Sequence, residues 1–575
     1  MSDKILGIDL GTTNSAVAII QAGRPALIPV EGEAIMPSVV GMSDEGELLV
    51  GYAARNQWVA APQRTVRSIK RSMGSADRVE MAGADYSPQE ISAFILRKLK
   101  ESVAAQLGEA VTRAVITVPA YFTEPQRQAT IEAGAIAGLE VERIINEPTA
   151  AALAYNLVQD ADAHVLVYDL GGGTFDVSVI EMNAGVVDVR ATAGDNHLGG
   201  DDFDLLLAEM LADEFEDEYE IDLRQQHGAW ARLLRAAEEA KIELSDKPYA
   251  LIALEYIAED GADNPLHIRR EVTRDEFERL IDELVERTLD FVEKALDDAG
   301  LTVDEIDRVL MVGGSTRIPL VWQALSQQMG QSPHTEIDPD LAVALGAAIQ
   351  GGIIAGEAID AILVDVTPHS LGIESARHTI TGQLLIDQFS PLVRRNTTVP
   401  VEKSEVFSTL FPGQTALHIK VYQGEASIAS QNVLLGDFKI EALQPNRPDG
   451  LTDVTVNFRL DVNGILDVTV VERVTGQRVS ERLKASQQRL SPSQIAESQR
   501  RLDAAEAPAQ IADEALSALV ARAERALDTL EMDEDTAEDF RDVLAALRAA
   551  YTINDSEEVD ELTDELVDLL FEVEE

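Results

Sequence analysis

The sequence contains no cysteine. This absence excludes disulfide bonds, a thiolate nucleophile, and zinc or iron–sulfur ligation through sulfur. Positive charge is also scarce, because 47 Lys and Arg residues stand against 102 Asp and Glu residues and give a formal net charge of −55. A surface this acidic repels phosphate backbones, so we expect no nucleic-acid partner that binds through a basic face.

Long hydrophobic runs are missing as well. No stretch of about 18 uncharged apolar residues occurs, so no membrane span is predicted. The first residues enter an apolar strand by residue 5 and contain no apolar segment typical of a secretory leader, which makes the cytoplasm the expected compartment. Hydrophobic content of 45% and charged content of 26% are typical of a folded protein. The length predicts about four compact units.

One short pattern occurs twice in the chain. ILGIDLGTTNSAVAII at 5–20 and VLVYDLGGGTFDVSVI at 165–180 each contain an apolar strand, Asp-Leu-Gly, small polar residues and a second apolar strand. Each copy predicts a β-hairpin whose Gly-rich turn exposes backbone N–H groups. The repeat therefore predicts two similar lobes that face each other across a cleft.

Helices alternate with strands through the first part of the chain. Residues 87–107 predict a helix capped by Ser87, with Pro88 at the first helical position. This alternation indicates an α/β architecture. The other elements predicted here are strands at 114–121 and 306–313 and a long amphipathic helix at 270–299.

The character of the sequence changes near residue 360. Residues 360–366 form an apolar connector flanked by Asp, after which alternating apolar residues predict an antiparallel β-region with one buried face. From Ser491, which can form a capping box with Gln494, the chain is predicted to be helical. The alternating residues are Leu417, Ile419 and Val421, then Val454, Val456, Phe458, Leu460 and Val462, and, after a turn at Asn463-Gly464, Leu466, Val468 and Val470.

Three glycine-rich turns are candidate anion-binding loops, because unpaired backbone N–H groups converge in such turns. One such loop is weak evidence, and the GxxxxGK[ST] pattern of P-loop proteins is missing. Asp9 and Asp169 precede two of the turns and predict a nucleotide–Mg²⁺ complex between the lobes, with turn capping as the alternative. The three turns are Gly11-Thr12-Thr13, Gly171-Gly172-Gly173-Thr174 and Gly313-Gly314-Ser315-Thr316.

Several longer motifs occur in a single order: GIDLGTTNS, VITVPAYF, RIINEPTAAALAY, VYDLGGGTFDVS, GDNHLGGDDFD, VGGSTR, DVTPHSLGIE and NTTVPVEKSEVFST. They resemble the seventy-kilodalton heat-shock chaperones of the DnaK type over nearly the whole chain. The resemblance implies a multidomain α/β + β + α protein. Its expected parts are an actin-like, two-lobed ATPase domain at 1–359, a hydrophobic interdomain linker at 360–366, an antiparallel β-sandwich that binds peptides at 367–488, and a short α-helical lid at 489–575.

The resemblance also implies roles for residues at matching positions. Lys70 would neutralise charge on the transferring phosphoryl group and orient the attacking water, although by itself it would be read as a surface charge. The implied cofactors are ATP or ADP and Mg²⁺, held through waters near Asp9, Asp169 and Glu147, with K⁺ as a further candidate. The catalytic residues implied are Lys70, Glu147, Asp169 and Thr174. The nucleotide-binding residues implied are Asp9, Gly11, Thr12, Thr13, Gly171, Gly172, Gly173, Glu238, Lys241, Ser245, Gly313, Gly314, Arg317 and Asp340.

Two further groups of residues carry over from the resemblance. Ile362, Leu363 and Val364 would dock on the ATPase domain in the ATP state and release after hydrolysis. Without the resemblance, the apolar residues of the peptide site would be read as core. The coupling residues implied are Pro119, Arg127, Arg143, Asn146 and Asp365. The peptide-site residues implied are Ile373, Ser375, Ala376, Phe407, Leu410, Leu417 and Ile419.

The chain departs from the family pattern in four places, which indicates a divergent bacterial member. The stretch from Met73 to Tyr86 is short, so one ATPase subdomain is trimmed. Ala376 replaces a larger residue and Leu410 a smaller one over the peptide site. The loop at 377–394 is enlarged, and the lid is short, which predicts faster peptide exchange.

The function implied is ATP-dependent binding and release of extended hydrophobic segments of unfolded proteins by a mainly monomeric chaperone. A J-domain co-chaperone would meet Arg143, Asn146 and Asp365, and a nucleotide exchange factor is a further expected partner. One alternative is a non-cycling binding or exchange factor that scarcely hydrolyses ATP, against which the intact catalytic residues argue. Another is an actin-like filament protein or a sugar kinase, against which the β-region argues. A narrower alternative is a chaperone for iron–sulfur cluster assembly, which MVGGSTRIPLV and DPDLAVALGAAIQ weakly favour.

Overall fold

The computed structural model of the chain describes residues 4–156, 162–262, 264–334, 338–359, 361–378, 383–473, 475–482, 490–506, 514–529 and 534–552, and residues 559, 562–563, 565–567 and 569–570. Within these ranges, no helix combines the length and the apolar character needed to cross a membrane. Parts of the sequence predictions lie outside the described residues, including Asp360, residues 379–382, the predicted boundary between residues 488 and 489, and several segments of the predicted lid.

The first sheet is built around the first predicted hairpin, in which β1 and β2 pair antiparallel. Its strand order is β11-β10-β1-β2-β3, with β10 parallel to both β1 and β11. The strands of this part are β1 (Ile5–Leu10), β2 (Asn14–Gln21), β3 (Arg24–Leu27), β4 (Met36–Pro37), β5 (Val39–Met42), β6 (Leu48–Val50), β7 (Thr65–Arg67), β8 (Val79–Met81), β9 (Ala84–Tyr86), β10 (Arg113–Val118) and β11 (Glu140–Asn146). The helices are α1 (Tyr52–Trp58), α2 (Pro88–Leu107), α3 (Glu124–Ile136) and α4 (Glu147–Asn156).

The second sheet repeats this plan around the second predicted hairpin, in which β12 and β13 pair antiparallel. Its strand order is β17-β12-β13-β14-β18-β21, where β21 spans Thr397–Val399 and β17 is parallel to β12. The strands introduced here are β12 (Ala163–Leu170), β13 (Phe175–Asn183), β14 (Val186–Asp195), β15 (Tyr249–Glu259), β16 (Pro265–Thr273), β17 (Arg308–Val312) and β18 (Ile362–Thr367). The helices are α5 (Gly200–Tyr219), α6 (His227–Asp246), α7 (Arg274–Ala299), α8 (Pro319–Met329) and α9 (Ala342–Ala355).

Two more antiparallel sheets follow, with strand orders β20-β19-β23-β24 and β22-β25-β26-β27. Side chains from both sheets meet in one hydrophobic core, in which Ile373 and Val421 lie with Val456 and Phe458. The strands are β19 (Leu371–His378), β20 (Leu384–Val393), β21 (Thr397–Val399), β22 (Val401–Ser408), β23 (Leu417–Gln423), β24 (Val433–Ile440), β25 (Asp453–Leu460), β26 (Leu466–Glu472) and β27 (Arg478–Arg482).

Nearly all the described residues after Ser491 are helical, as predicted. Ser491 and Gln494 form the predicted capping box, since each backbone N–H donates to the other side chain. Helix α10 packs on the first sheet's core through Leu502, whereas α11 and α12 share a separate core around Phe540. The helices are α10 (Pro492–Glu506), α11 (Glu514–Thr529) and α12 (Glu534–Thr552).

The mixed α/β class is confirmed, and several element predictions need correction. The long helix predicted from residue 270 begins at Arg274, because 265–273 is the second strand of a hairpin and Thr273 caps the helix through the Glu276 N–H. Val462 is not part of the alternating strand; it lies exposed in a turn that separates Leu460 from Leu466. In its described residues, the enlarged loop predicted at 377–394 is mostly strand, because β20 pairs with β19.

Candidate active site

A cavity of about 400 Å³ opens between the first and second sheets. It is lined by every residue predicted for catalysis or nucleotide binding except Gly173. Gly173 lies beside it, since a Cβ on this residue would come within 2.6 Å of Thr12 Cγ2. The structure therefore gathers residues from positions 9 to 340 into one site.

The three glycine-rich turns meet at this cavity. Thr13 of the first turn lies so close to Gly172 of the second that a Cβ on the glycine would stand 2.3 Å from Thr13 Cγ2. The third turn is joined to the second by a hydrogen bond of 2.9 Å from Ser315 Oγ to the Gly171 carbonyl oxygen. Position 313 favours glycine, because its φ of 83° lies in the left-handed region, which residues with a Cβ rarely adopt. Together the turns form a cradle with the character of a polyphosphate site.

Lys70 is buried in the cavity wall, which corrects the reading of this residue as a surface charge. It lies in a one-turn 3-10 helix, Ile69–Ser72, and its Nζ donates a hydrogen bond to Glu147 Oε1. Glu147 begins α4, 77 positions further along the chain. A buried ammonium group next to a carboxylate is available to stabilise negative charge that enters the cavity.

Buried carboxylates concentrate on the same side of the cavity. Burial, followed by the charge of Glu147, raises the pKa of Asp9 to about 7. The same causes, burial first, raise the pKa of Asp169, whose Oδ2 has no hydrogen-bond partner among the described atoms. The donor set is oxygen only, which suits Mg²⁺. The described residues contain no group of three or more His, Asp or Glu side chains arranged to hold a metal.

Helix α6 and the third turn supply further side chains to the cavity wall. Lys241 Nζ donates to Asp204 Oδ2 at 2.7 Å and to the Gly200 carbonyl oxygen at 3.1 Å. Glu238 pairs with Arg55 at 3.3 Å, which connects α6 to α1. Arg317 pairs with Asp338 and Asp340 at 3.0 and 2.7 Å. Of these residues, Asp204, Glu238, Lys241, Arg317 and Asp340 line the cavity.

Sequence reasoning missed Asp204, the acidic partner of Lys241. Burial raises the pKa of Asp204 to about 6. The residue lies in GDNHLGGDDFD, a motif used only as evidence of resemblance. Asp204 lies four residues after the Gly199-Gly200 pair, near the start of α5.

Three of the five predicted coupling residues form a hydrogen-bonded network beside the cavity. Arg127 donates to Asn146 Oδ1 at 2.6 Å and to the Ala120 carbonyl oxygen at 3.0 Å. Asn146 Nδ2 in turn donates to both carboxylate oxygens of Asp365, at 3.0 and 2.9 Å. Burial raises the pKa of Asp365. Of the other two predicted residues, Pro119 is buried and Arg143 has a buried Nε without a hydrogen-bond partner in the described part of the chain.

The predicted peptide-site residues divide between core and surface. Ile373 and Ile419 are buried in the common core of the two C-terminal sheets. Phe407 and Leu417 pack against that core from its edge, and Leu410 is exposed. Of the polar positions, Ser375 shares a hydrogen bond of 2.7 Å with Ser390, while Ala376 is half-buried.

Replacing Gly172 with alanine is expected to weaken ATP binding at least about a hundredfold, because the new methyl group would push the first and second turns apart. Gly171→Ala is the matched control, since its Cβ would meet only the Thr174 carbonyl oxygen at 3.7 Å, an ordinary contact. Titration calorimetry with ATP measures both. Equal affinities for the two variants would contradict the close approach of the turns.

The family model described as Hsp70 protein matches residues 5–575, which is essentially the whole chain. The match includes the three glycine-rich turns, the buried Lys70–Glu147 pair and the β-rich and helical regions after residue 366. The chain belongs to the Hsp70 family, the heat-shock ATPases that bind ATP and act as chaperones in protein folding.

Proposed function

We propose that this chain hydrolyses ATP in the cavity and that the reaction changes its affinity for extended apolar segments of unfolded proteins. The observation that carries the proposal is the hydrogen-bonded connection between the catalytic pair, Lys70 and Glu147, and the linker. Asp365, within the linker, accepts a hydrogen bond from Asn146, and Glu147, the residue after Asn146, accepts one from Lys70. A shift at the catalytic pair is thereby transmitted to the linker.

The catalytic proposal assigns each residue a task. The backbone N–H groups of the glycine-rich turns would bind the phosphates, and Lys70 would neutralise the transferring phosphoryl group and orient water. Asp9, Asp169 and Glu147 fit Mg²⁺ held through waters; the bound ion would supply positive charge to the phosphate oxygens. Thr174, in the second turn, would face the terminal phosphate. The unpartnered Asp169 Oδ2 supports this assignment, because a buried carboxylate oxygen calls for a cation or water.

Coupling would depend on the docked linker. Strand β18 extends the second sheet by parallel pairing with β14, so Leu363 stands opposite Val187. The β-rich region also contacts helix α3, since Gln423 Oε1 accepts a hydrogen bond of 3.0 Å from the Glu124 N–H. Helix α10 is attached there through Arg97, which pairs with Asp503 and Glu506. We take this as the ATP-like state, from which the linker would be released after hydrolysis.

The finer organisation is part of the proposal. Residues 1–359 would form an actin-like, two-lobed ATPase domain, 360–366 the linker, 367–488 a β-sandwich for peptides and 489–575 a short lid. The chain would act in the cytoplasm, mainly as a monomer. A J-domain co-chaperone and an exchange factor would drive its cycle of ATP hydrolysis and nucleotide exchange. The test is steady-state ATP hydrolysis with and without an extended apolar peptide. Stimulation by peptide is expected, and hydrolysis that ignores peptide would point to a non-cycling family member.

Docking of the β-rich region is expected to weaken at acid pH. His369 is buried at the contact, where its Nε2 lies 3.0 Å from the Tyr121 carbonyl oxygen. Burial, helped by the charges of Arg127 and Lys294, lowers the pKa of His369 from 6.5 to about 4. The docked state therefore contains the neutral ring. The contribution of His369 to the free energy of docking is fully present above about pH 6.5 and is lost as the pH falls toward 4.

Between pH 7.5 and 5.5 the docking constant should fall about tenfold. Because the chain has no cysteine, a dye pair on cysteines introduced in α7 and β25 reports the docked fraction by energy transfer. The control His369→Leu removes the titrating ring and should flatten this pH dependence. A wild-type profile as flat as that of the control would refute the role of His369.

A further inference from the structure

The loop that carries Lys70 is held from across the cavity by the first turn of α5. Ser68 Oγ donates a hydrogen bond of 2.5 Å to Asp201 Oδ2. Arg67 lies on the same carboxylate, with NH2 at 3.4 Å from Asp201 Oδ1. Two residues that precede Lys70, Arg67 and Ser68, are thus bound to Asp201 of α5.

A second acid holds the other side of the loop. Arg71 NH2 donates to both carboxylate oxygens of Asp202, at 2.9 and 3.1 Å. The stem of Arg71 passes over the second glycine-rich turn, where a Cβ on Gly173 would lie 3.1 Å from Arg71 Cδ. Lys70 therefore lies between two anchored segments, and its buried Nζ has little freedom to move away from the cavity.

The backbone of this loop needs such support. Ser68 has a left-handed conformation, with φ at 54° and ψ at 27°, directly before the short helix of Lys70. A residue with a Cβ adopts this conformation at a cost, and it persists where the surroundings hold it. The hydrogen bond from the Ser68 hydroxyl to Asp201 is the contact that holds it here.

The two acids are themselves fixed to the phosphate cradle. The Asp201 N–H donates to the Gly172 carbonyl oxygen at 2.7 Å, and Asp202 Oδ2 accepts the Gly199 N–H at 2.8 Å. Negative side chains are stabilised in the first turn of a helix. Neither carboxylate lines the cavity. This turn therefore joins the second glycine-rich turn to the Lys70 loop without occupying the space for a ligand.

We infer that Asp201 and Asp202 are positioning residues for Lys70, which set the distance between its ammonium group and the phosphate cradle. The inference rests on the proposed function, because it requires that Lys70 acts on ATP. Loss of the acids lets the loop shift, and a small displacement of a catalytic group has a large effect on rate. Binding is affected little, because the phosphate-binding N–H groups stay in place.

The test measures single-turnover ATP hydrolysis and ATP affinity for Asp201→Asn, Asp202→Asn and the double variant. Asparagine keeps an oxygen for the Ser68 hydroxyl or the Gly199 N–H and removes the charge that holds Arg67 or Arg71. The single variants should lose about tenfold in rate and the double about a hundredfold, with ATP affinity within about threefold of wild type. Asp202→Glu keeps the charge and should recover most of the rate.

The control is Glu239→Gln, which neutralises an exposed acid paired with Arg235 on the same helix, at 2.6 Å. It should leave the rate unchanged. Melting temperatures identify any variant that fails to fold, and Arg71→Gln then tests the same pair from the other side. In the Asp202→Asn background, Arg71→Gln should cause little additional loss, since the two groups act together.

Each other outcome overturns a stated part of the account. If Lys70→Ala abolishes hydrolysis and the double variant keeps its rate, the positioning role is wrong and the proposed function stands. If affinity falls as much as rate, the acids maintain the cavity and do not position Lys70. If the wild-type chain does not hydrolyse ATP, the proposed function fails, and the positioning role fails with it.

Discussion

Lys70→Ala is expected to lower the rate of ATP hydrolysis at least about a hundredfold, while ATP still binds. The reason is electrostatic: Lys70 is a buried cation in the cavity, and a fixed charge aimed at the developing negative charge contributes about 10²–10³ in rate. The glycine-rich turns, which would hold the phosphates, are untouched by this change. Single-turnover hydrolysis and nucleotide titration separate the two effects.

Lys4→Ala is the control for this experiment. It removes an exposed lysine, paired with Glu109 at 2.8 Å, and should leave the hydrolysis rate unchanged. Turnover close to wild type in Lys70→Ala would contradict the role assigned to Lys70. A loss of ATP binding as large as the loss of rate would show that the lysine binds the ground state and does not act on the transition state.

Leu363→Asp is expected to abolish the stimulation of hydrolysis by peptide and to preserve basal hydrolysis. Leu363 packs against the core between the two sheets and pairs with Val187 of β14. A carboxylate there would be desolvated in the docked state and hydrated in the released state, so it favours release. Basal hydrolysis is retained because the residue does not line the cavity. Steady-state hydrolysis with increasing peptide concentration measures the effect.

Ile362→Asp is a matched control, because it adds the same charge one residue away. Ile362 is 61% exposed on the same strand. Its charge stays hydrated in both states, so peptide should still stimulate hydrolysis. Normal stimulation in Leu363→Asp would contradict a docked linker as the coupling element, and equal loss in both variants would point to a general charge effect.

The sequence was most informative where local pattern and chemistry coincide. Both Asp-Leu-Gly hairpins, the Ser87 and Ser491 caps and the alternating strands around Phe458 were predicted, because each depends on residues close together in the chain. The cavity residues came from the family resemblance. The structure brings nearly all of them together.

What the sequence could not predict depends on contacts between distant segments. Lys70 is buried next to Glu147, 77 positions along the chain. The loop of Lys70 is held by Asp201 and Asp202, which lie more than a hundred positions away in the sequence. Residues 362–366 read as part of an apolar connector, and they form most of strand β18 because β14 offers a parallel edge. Residue 270 reads as helix because its charge pattern continues that of α7, but pairing with β15 makes it strand.

The most direct test of the account is the release rate of a bound fluorescent peptide after addition of ATP or ADP to the full chain. The account predicts faster release with ATP than with ADP, by a factor in the range of roughly 5 to 150 that is typical of allosteric coupling. It further predicts that Leu363→Asp removes the difference. Release at the same rate with either nucleotide in the wild-type chain would contradict the claim that ATP in the cavity controls the hold on peptide.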